Sequence, residues 1–143
     1  MSITRAAVFL LVTSISSMPM TTLAEPPDML GVWTGEVRTV ASGQQVRNLV
    51  AKGGALISDV ELTLTVTHQE GEGFIGEQTT NAPDAPTNSI WGAVRSTGKE
   101  GVFVTENGGR GQMWFPAANR LEYCFANQTP DQMSAHCAVL IKQ

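Results

Sequence analysis

Charge, histidine, cysteine and long apolar runs are all scarce in this chain. Only 15% of its 143 residues are charged, and 9 lysines and arginines stand against 13 aspartates and glutamates with no basic run. Phosphate polymers are held by clustered cations, so nucleic acid and anionic lipid are poor partners. The 2 histidines, His68 and His136, have no carboxylate or cysteine beside them at ligand spacing. They read as solvated or structural groups rather than a two-histidine metal site, and neither metal nor cofactor is expected. There is no Gly-x-Ser-x-Gly elbow, and no residue is assigned a catalytic role. Glu70 and Glu72, flanked by Gly71 and Gly73, read as turn charges rather than an acid/base pair. Gly108-Gly109-Arg110-Gly111 has the composition of a phosphate loop, but it precedes a strand-like run instead of opening a helix, so a hairpin turn is expected.

No apolar run approaches the roughly 20 residues that span a bilayer. The longest, Ala6 to Val12, follows the single cation Arg5 and leads through serines to Thr22-Leu23-Ala24, with small side chains at two of three positions before Glu25. This is the pattern of a cleavable export signal, cut after Ala24. An uncleaved anchor or a buried first helix is the alternative. Residues 1–24 are thus expected to be a signal peptide and 25–143 a single domain, with no membrane span in the mature chain. Its 8 cations and 13 acids leave a net charge of −5. A periplasmic or secreted location places Cys124 and Cys137 in an oxidising compartment, where a disulfide is expected over two free thiols.

What the sequence does have is alternation of period two between closely spaced turn signals. Val60, Leu62, Leu64 and Val66 fall on one face, with Glu61, Thr63, Thr65 and Thr67 on the other, as in a half-buried antiparallel strand. Further strands are predicted over 31–40, 74–80, 90–96, 102–106, 112–115 (stopped by Pro116), 120–126 and 135–141. Asn107-Gly108-Gly109 marks a hairpin. Residues 81–88, with Pro83 and Pro86, read as an exposed loop, and 42–55 as a loop, a short helix or a strand. About eight short sequential strands imply an all-β domain, either an antiparallel up-and-down barrel or a small sandwich. Closure removes exposed edges and favours the barrel. A hairpin centred near Pro130-Asp131 puts Cys124 opposite Cys137, at a Cα separation of about 4.5 or 5.5 Å that a disulfide tolerates.

The opening Leu30-Gly31-Val32-Trp33-Thr34-Gly35 resembles the Gly-x-Trp start of the calycin barrels, the lipocalins and avidins. The resemblance implies that Trp33 closes one barrel end, that glycine lets the strand bend over it, and that a basic residue near the last strand, for which Lys142 is the candidate, lies against the indole. An ordinary core tryptophan is the alternative. The avidin biotin ligands cannot be placed residue by residue, so biotin binding is not implied.

An eight-stranded barrel either fills with side chains or holds one small ligand. On 90–96, Trp91, Ala93 and Arg95 share one face and Ile90, Gly92 and Val94 the other. On 112–115, Gln112 and Trp114 oppose Met113 and Phe115. If the tryptophan faces point inward, Trp91, Arg95 and Trp114 line a pocket with one cation, suited to a small anionic or aromatic ligand. If Ile90, Val94, Met113 and Phe115 point inward, the barrel is packed and both tryptophans stand outside, open to a protein partner. The leading expectation is a non-catalytic small-ligand-binding barrel. The alternative is a protein-interaction module, such as an inhibitor or accessory subunit that binds an envelope protein, and a small hydrolase or isomerase comes third.

Overall fold

The computed structural model describes residues 25–43, 55–130 and 132–143. The expected signal segment, Asp131 and most of the ambiguous stretch 42–55 lie outside the described residues. The rest forms one closed antiparallel sheet, each strand hydrogen-bonded to the next and the last to the first. The strands are β1 Gly31–Gly43, β2 Ala55–Glu70, β3 Gly73–Thr80, β4 Asn88–Val94, β5 Glu100–Thr105, β6 Arg110–Ala117, β7 Arg120–Gln128 and β8 Gln132–Lys142. A single closed ladder is a barrel, not a sandwich.

Alternation decides what enters the core. Leu62, Leu64 and Val66 are buried while Glu61 and Thr67 are exposed, and on β1 Trp33 is buried beside exposed Val32. Burying each such side chain contributes about 1.5–3 kcal/mol, offset by the entropy of ordering the chain. The strands run somewhat further than the sequence pattern predicts. Pro116 does not stop β6. The strand continues to Ala117 across a register shift between Trp114 and Ala117, the kind of irregularity where a residue without an N–H is tolerated. The turn after β4 falls around Gly98, at φ +67°, and β5 already begins at Glu100. At the predicted hairpin Gly108 takes φ +84°.

One barrel end is closed in the way the resemblance implies. Gly31 sits at φ +107°, which only glycine adopts without strain, and turns the incoming segment beneath the barrel. Met29 and Trp33 are fully buried there, and the indole N–H of Trp33 donates to the Met29 carbonyl at 2.9 Å. The Lys142 ammonium lies 5.5 Å from the Trp33 ring centroid and donates to both the backbone carbonyl and the carboxylate of Asp28, each at 2.9 Å. That contact holds the Asp28 carboxyl below its usual range. The Gln69 side chain completes the closure, donating to the Pro27 carbonyl at 3.0 Å and accepting from the Met29 N–H at 2.7 Å.

Cys124 and Cys137 are directly opposite in the β7–β8 ladder and form a disulfide, with Cα atoms 4.0 Å apart. It lies on the outer wall, since Tyr123, Phe125 and Ala138 take the inward positions.

Candidate functional site

The far end of the barrel, where β1, β3, β5 and β7 finish, carries the polar groups of the interior. Continuing the alternation inward from Leu121, β7 presents Tyr123, Phe125 and Asn127. Continuing it from Leu140, β8 presents Ala138, His136 and Ser134. Phe125 stacks on Phe103 of β5 at 5.9 Å between centroids, and Tyr123 meets Phe103 edge-on at 5.5 Å. Room for these rings comes from inward-facing glycines. A Cβ on Gly111 would stand 2.2 Å from the Phe103 ring, and one on Gly92 would stand 2.1 Å from the Phe74 ring. Mid-barrel the packing leaves a void of about 10 Å³ bounded by residues such as Leu62, Ile90 and Met113. That is scarcely room for a single water molecule, so the centre is filled.

Above the packed layer, the Tyr123 hydroxyl lies 3.1 Å from Nε2 of His136. The imidazole sits 5.1 Å from the Phe125 ring and 5.6 Å from the Tyr123 ring, between centroids. Burial among these rings pushes the His136 pKa down to about 4 and raises that of Tyr123, so both groups are neutral at pH 7. Two buried polar atoms here, Nδ1 of His136 and Oδ1 of Asn127, have no hydrogen-bond partner among the described residues. Buried polar atoms are nearly always paired, so two orphans at one end of a barrel mark a place where a further group fits. Among the described residues the rim at this end carries a depression of about 990 Å³, bounded by inward Ala41, Asn127 and Ser134 and by outward Val40, Arg110 and Met133.

The residues singled out from the sequence lie elsewhere. Ile90, Val94 and Met113 point inward and are buried, and Phe115 packs partly buried against the core. Trp91 and Trp114 stand on the outer wall, 42% and 39% exposed, and Arg95 is ion-paired with Glu100 at 2.9 Å on the surface. An internal pocket lined by Trp91, Arg95 and Trp114 is therefore corrected. The inward positions of β4 and β6 are taken by aliphatic side chains and by glycines that lie under phenylalanine rings. Tyr123, His136 and Asn127 were missed as a group. Their shared parity along β7 and β8 and the register that sets Cys124 opposite Cys137 were readable, but that this face turns into the barrel beside Phe103 was not. Among the described residues no three of His, Cys, Asp and Glu gather as a cation site. His68 lies on the outer wall, next to Ile75 in the β2–β3 ladder.

No family model and no curated protein sequence matches this chain. Solved structures do match in fold. The protein EF1p2_mFAP2b, in a structure described as bound to DFHBI, superposes with a TM-score of 0.50 at 7% identity, covering 80% of this chain and 94% of the other. An S-type phycobiliprotein lyase from Guillardia theta gives a TM-score of 0.49 at 9% identity, over 80% of this chain and 88% of the lyase. The fold is calycin-like. Identities this low speak to architecture alone. In this calycin-like barrel the closed end is built on Gly31, Trp33 and Lys142, and the opposite end carries the Tyr123–His136 pair.

Proposed function

We propose that the chain is an exported, non-catalytic binding protein whose calycin-like barrel seats a small ligand at its open end. The observation that carries this reading is the pair of buried atoms without a partner among the described residues, His136 Nδ1 and Asn127 Oδ1, with Asn127 itself lining a depression of about 990 Å³. A hydroxyl or amide on the ligand would supply what both atoms lack, and leaving such groups unpaired costs about 1–3 kcal/mol each. The packed rings of Phe103, Tyr123 and Phe125 give the adjoining interior an apolar character. With His136 and Tyr123 both neutral at pH 7, a neutral ligand suits this end better than an anion. The calycin-like architecture of EF1p2_mFAP2b, bound to DFHBI, is compatible with such a seat. Export draws support from the segment ending at Ala24 and from the Cys124–Cys137 disulfide, which persists in oxidising compartments. The alternative, a protein-interaction module, draws on the filled centre and the outward Trp91 and Trp114.

The test is native mass spectrometry of protein recovered from the exported fraction, together with titration by the neutral dye Nile red. A small-molecule adduct or saturable dye binding is expected, weakened in Asn127→Leu and His136→Phe while both variants remain folded. Protein that carries no adduct and does not bind the dye, or variants that bind like the parent, would overturn the assignment.

A further inference from the structure

The outer wall of β4, β5 and β6 holds an arrangement separate from the open end. Trp91 is the ladder partner of Val104, and Trp114 is the partner of Glu100. Val102 lies between those two positions on β5, so Trp91, Val102 and Trp114 form one diagonal across three adjacent strands, all pointing outward. Val102 is 57% exposed. With strands ~4.8 Å apart and ~3.3 Å per residue, the two tryptophan Cα atoms are separated by roughly 16 Å. Depressions flank the diagonal on both sides. One, of about 400 Å³, is edged by Glu72, Arg95, Glu100 and Gln112. The other, of about 440 Å³, is edged by Val104, Arg110 and Gln112.

We propose that this wall is a second binding site, for an extended neutral oligosaccharide laid along the Trp91–Val102–Trp114 diagonal. An indole face is the negative side of the ring quadrupole and attracts polarised C–H groups, which a pyranose presents on its flat face. The hydroxyls round the rim of a sugar need donors and acceptors at the sides of such a platform. Arg95 and Glu100, held together at 2.9 Å, present a donor and an acceptor side by side, and Gln112 supplies both from one amide. Acids and cations are interspersed round the diagonal, Arg95 paired with Glu100 and Arg120 with Glu122 beside Trp114, with Arg110, Glu36 and Glu72 around them, so no block of one sign favours an ionic ligand. The closed ladder offers no edge for strand addition, which removes one common route to peptide capture. The distance between the tryptophans requires several linked sugar rings to engage both.

The experiment is isothermal titration of the folded, exported protein with cellotetraose, chitotetraose and maltotetraose, and with the matching disaccharides. At least one tetrasaccharide should bind, and its disaccharide should bind at least about tenfold more weakly because it engages one indole only. Trp91→Ala and Trp114→Ala should each raise Kd at least about tenfold at an unchanged melting temperature. Asn127→Leu, at the open end, should leave saccharide affinity unchanged. Failure of all three tetrasaccharides to bind, or equal affinity in both tryptophan variants, would overturn the proposal. So would sugar binding lost through Asn127→Leu instead, or capture of a proline-rich peptide by the two tryptophans with no saccharide bound.

Discussion

The hydroxyl of Tyr123 and Nε2 of His136, on neighbouring strands, meet at 3.1 Å inside the barrel, with the imidazole pressed against Phe125. The contact has a consequence for acid stability. In the unfolded chain the imidazole titrates near 6.5, whereas in the fold burial holds it at about 4. Between those values the unfolded state binds more protons, so stability rises with pH there. The contribution is complete above about pH 6.5 and is lost progressively as pH falls toward 4. Denaturant melts at pH 7, 5.5 and 4 should show this loss, and His136→Gln should flatten it. An unchanged pH profile in the variant would assign the acid sensitivity elsewhere.

The disulfide should act through stability. Closing the short loop between Cys124 and Cys137 contributes about 3 kcal/mol in the chain-entropy account. Cys124→Ala with Cys137→Ala should therefore lower Tm by on the order of 10 °C. Thiol titration of denatured, unreduced native protein should find no free thiol, and two free thiols would refute the bond.

At the closed end, Lys142→Met removes the ion pair with Asp28 and the contact over Trp33. Asp28 is exposed, so only a small loss of stability is expected, less at high salt. Trp33→Ala should cost about 3–5 kcal/mol, because it empties a fully buried site. Thermal melts of the two variants should fall in that order.

Gly111→Ala places a methyl group 2.2 Å from the Phe103 ring. Overpacking of this kind costs about 1–3 kcal/mol, and the ring must move. A pairing with Phe103→Leu should recover part of the loss. If Gly111→Ala melts like the parent, the tight fit of the aromatic layer is disproved.

Cleavage after Ala24 should give a mature chain starting at Glu25, read by mass spectrometry of the exported protein. A full-length chain retained in the membrane would contradict it.

The order of strands, the hairpin at Asn107-Gly108-Gly109 and the Cys124–Cys137 pairing were legible in the residues themselves, while the roles of Trp33 and Lys142 came only from the resemblance to calycin barrels. Alternation and turn chemistry act within a few residues, and a short hairpin fixes its own register. The proline at 116 misled because a strand tolerates proline where the ladder shifts, and such a shift depends on the partner strand rather than on the local run.

What the sequence by itself determined is therefore which residues share a face. Which face turns inward on β4 and β6 was decided only by tertiary structure. Both faces of these strands carry apolar side chains, Ile90 and Val94 against Trp91, and Met113 against Trp114, so hydrophobicity could not choose between them. Closure of eight strands sets the interior volume, and Phe74, Phe103 and Phe125 lie across inward glycines there and fill it. On β4 and β6 the indoles of Trp91 and Trp114 therefore stand on the convex outer wall, whereas Trp33 of β1 finds its room at the closed end. The same closure turned the Tyr123, His136 and Asn127 face of the last hairpin into the interior and set it against Phe103 of β5, a contact between distant strands that the hairpin alone does not display.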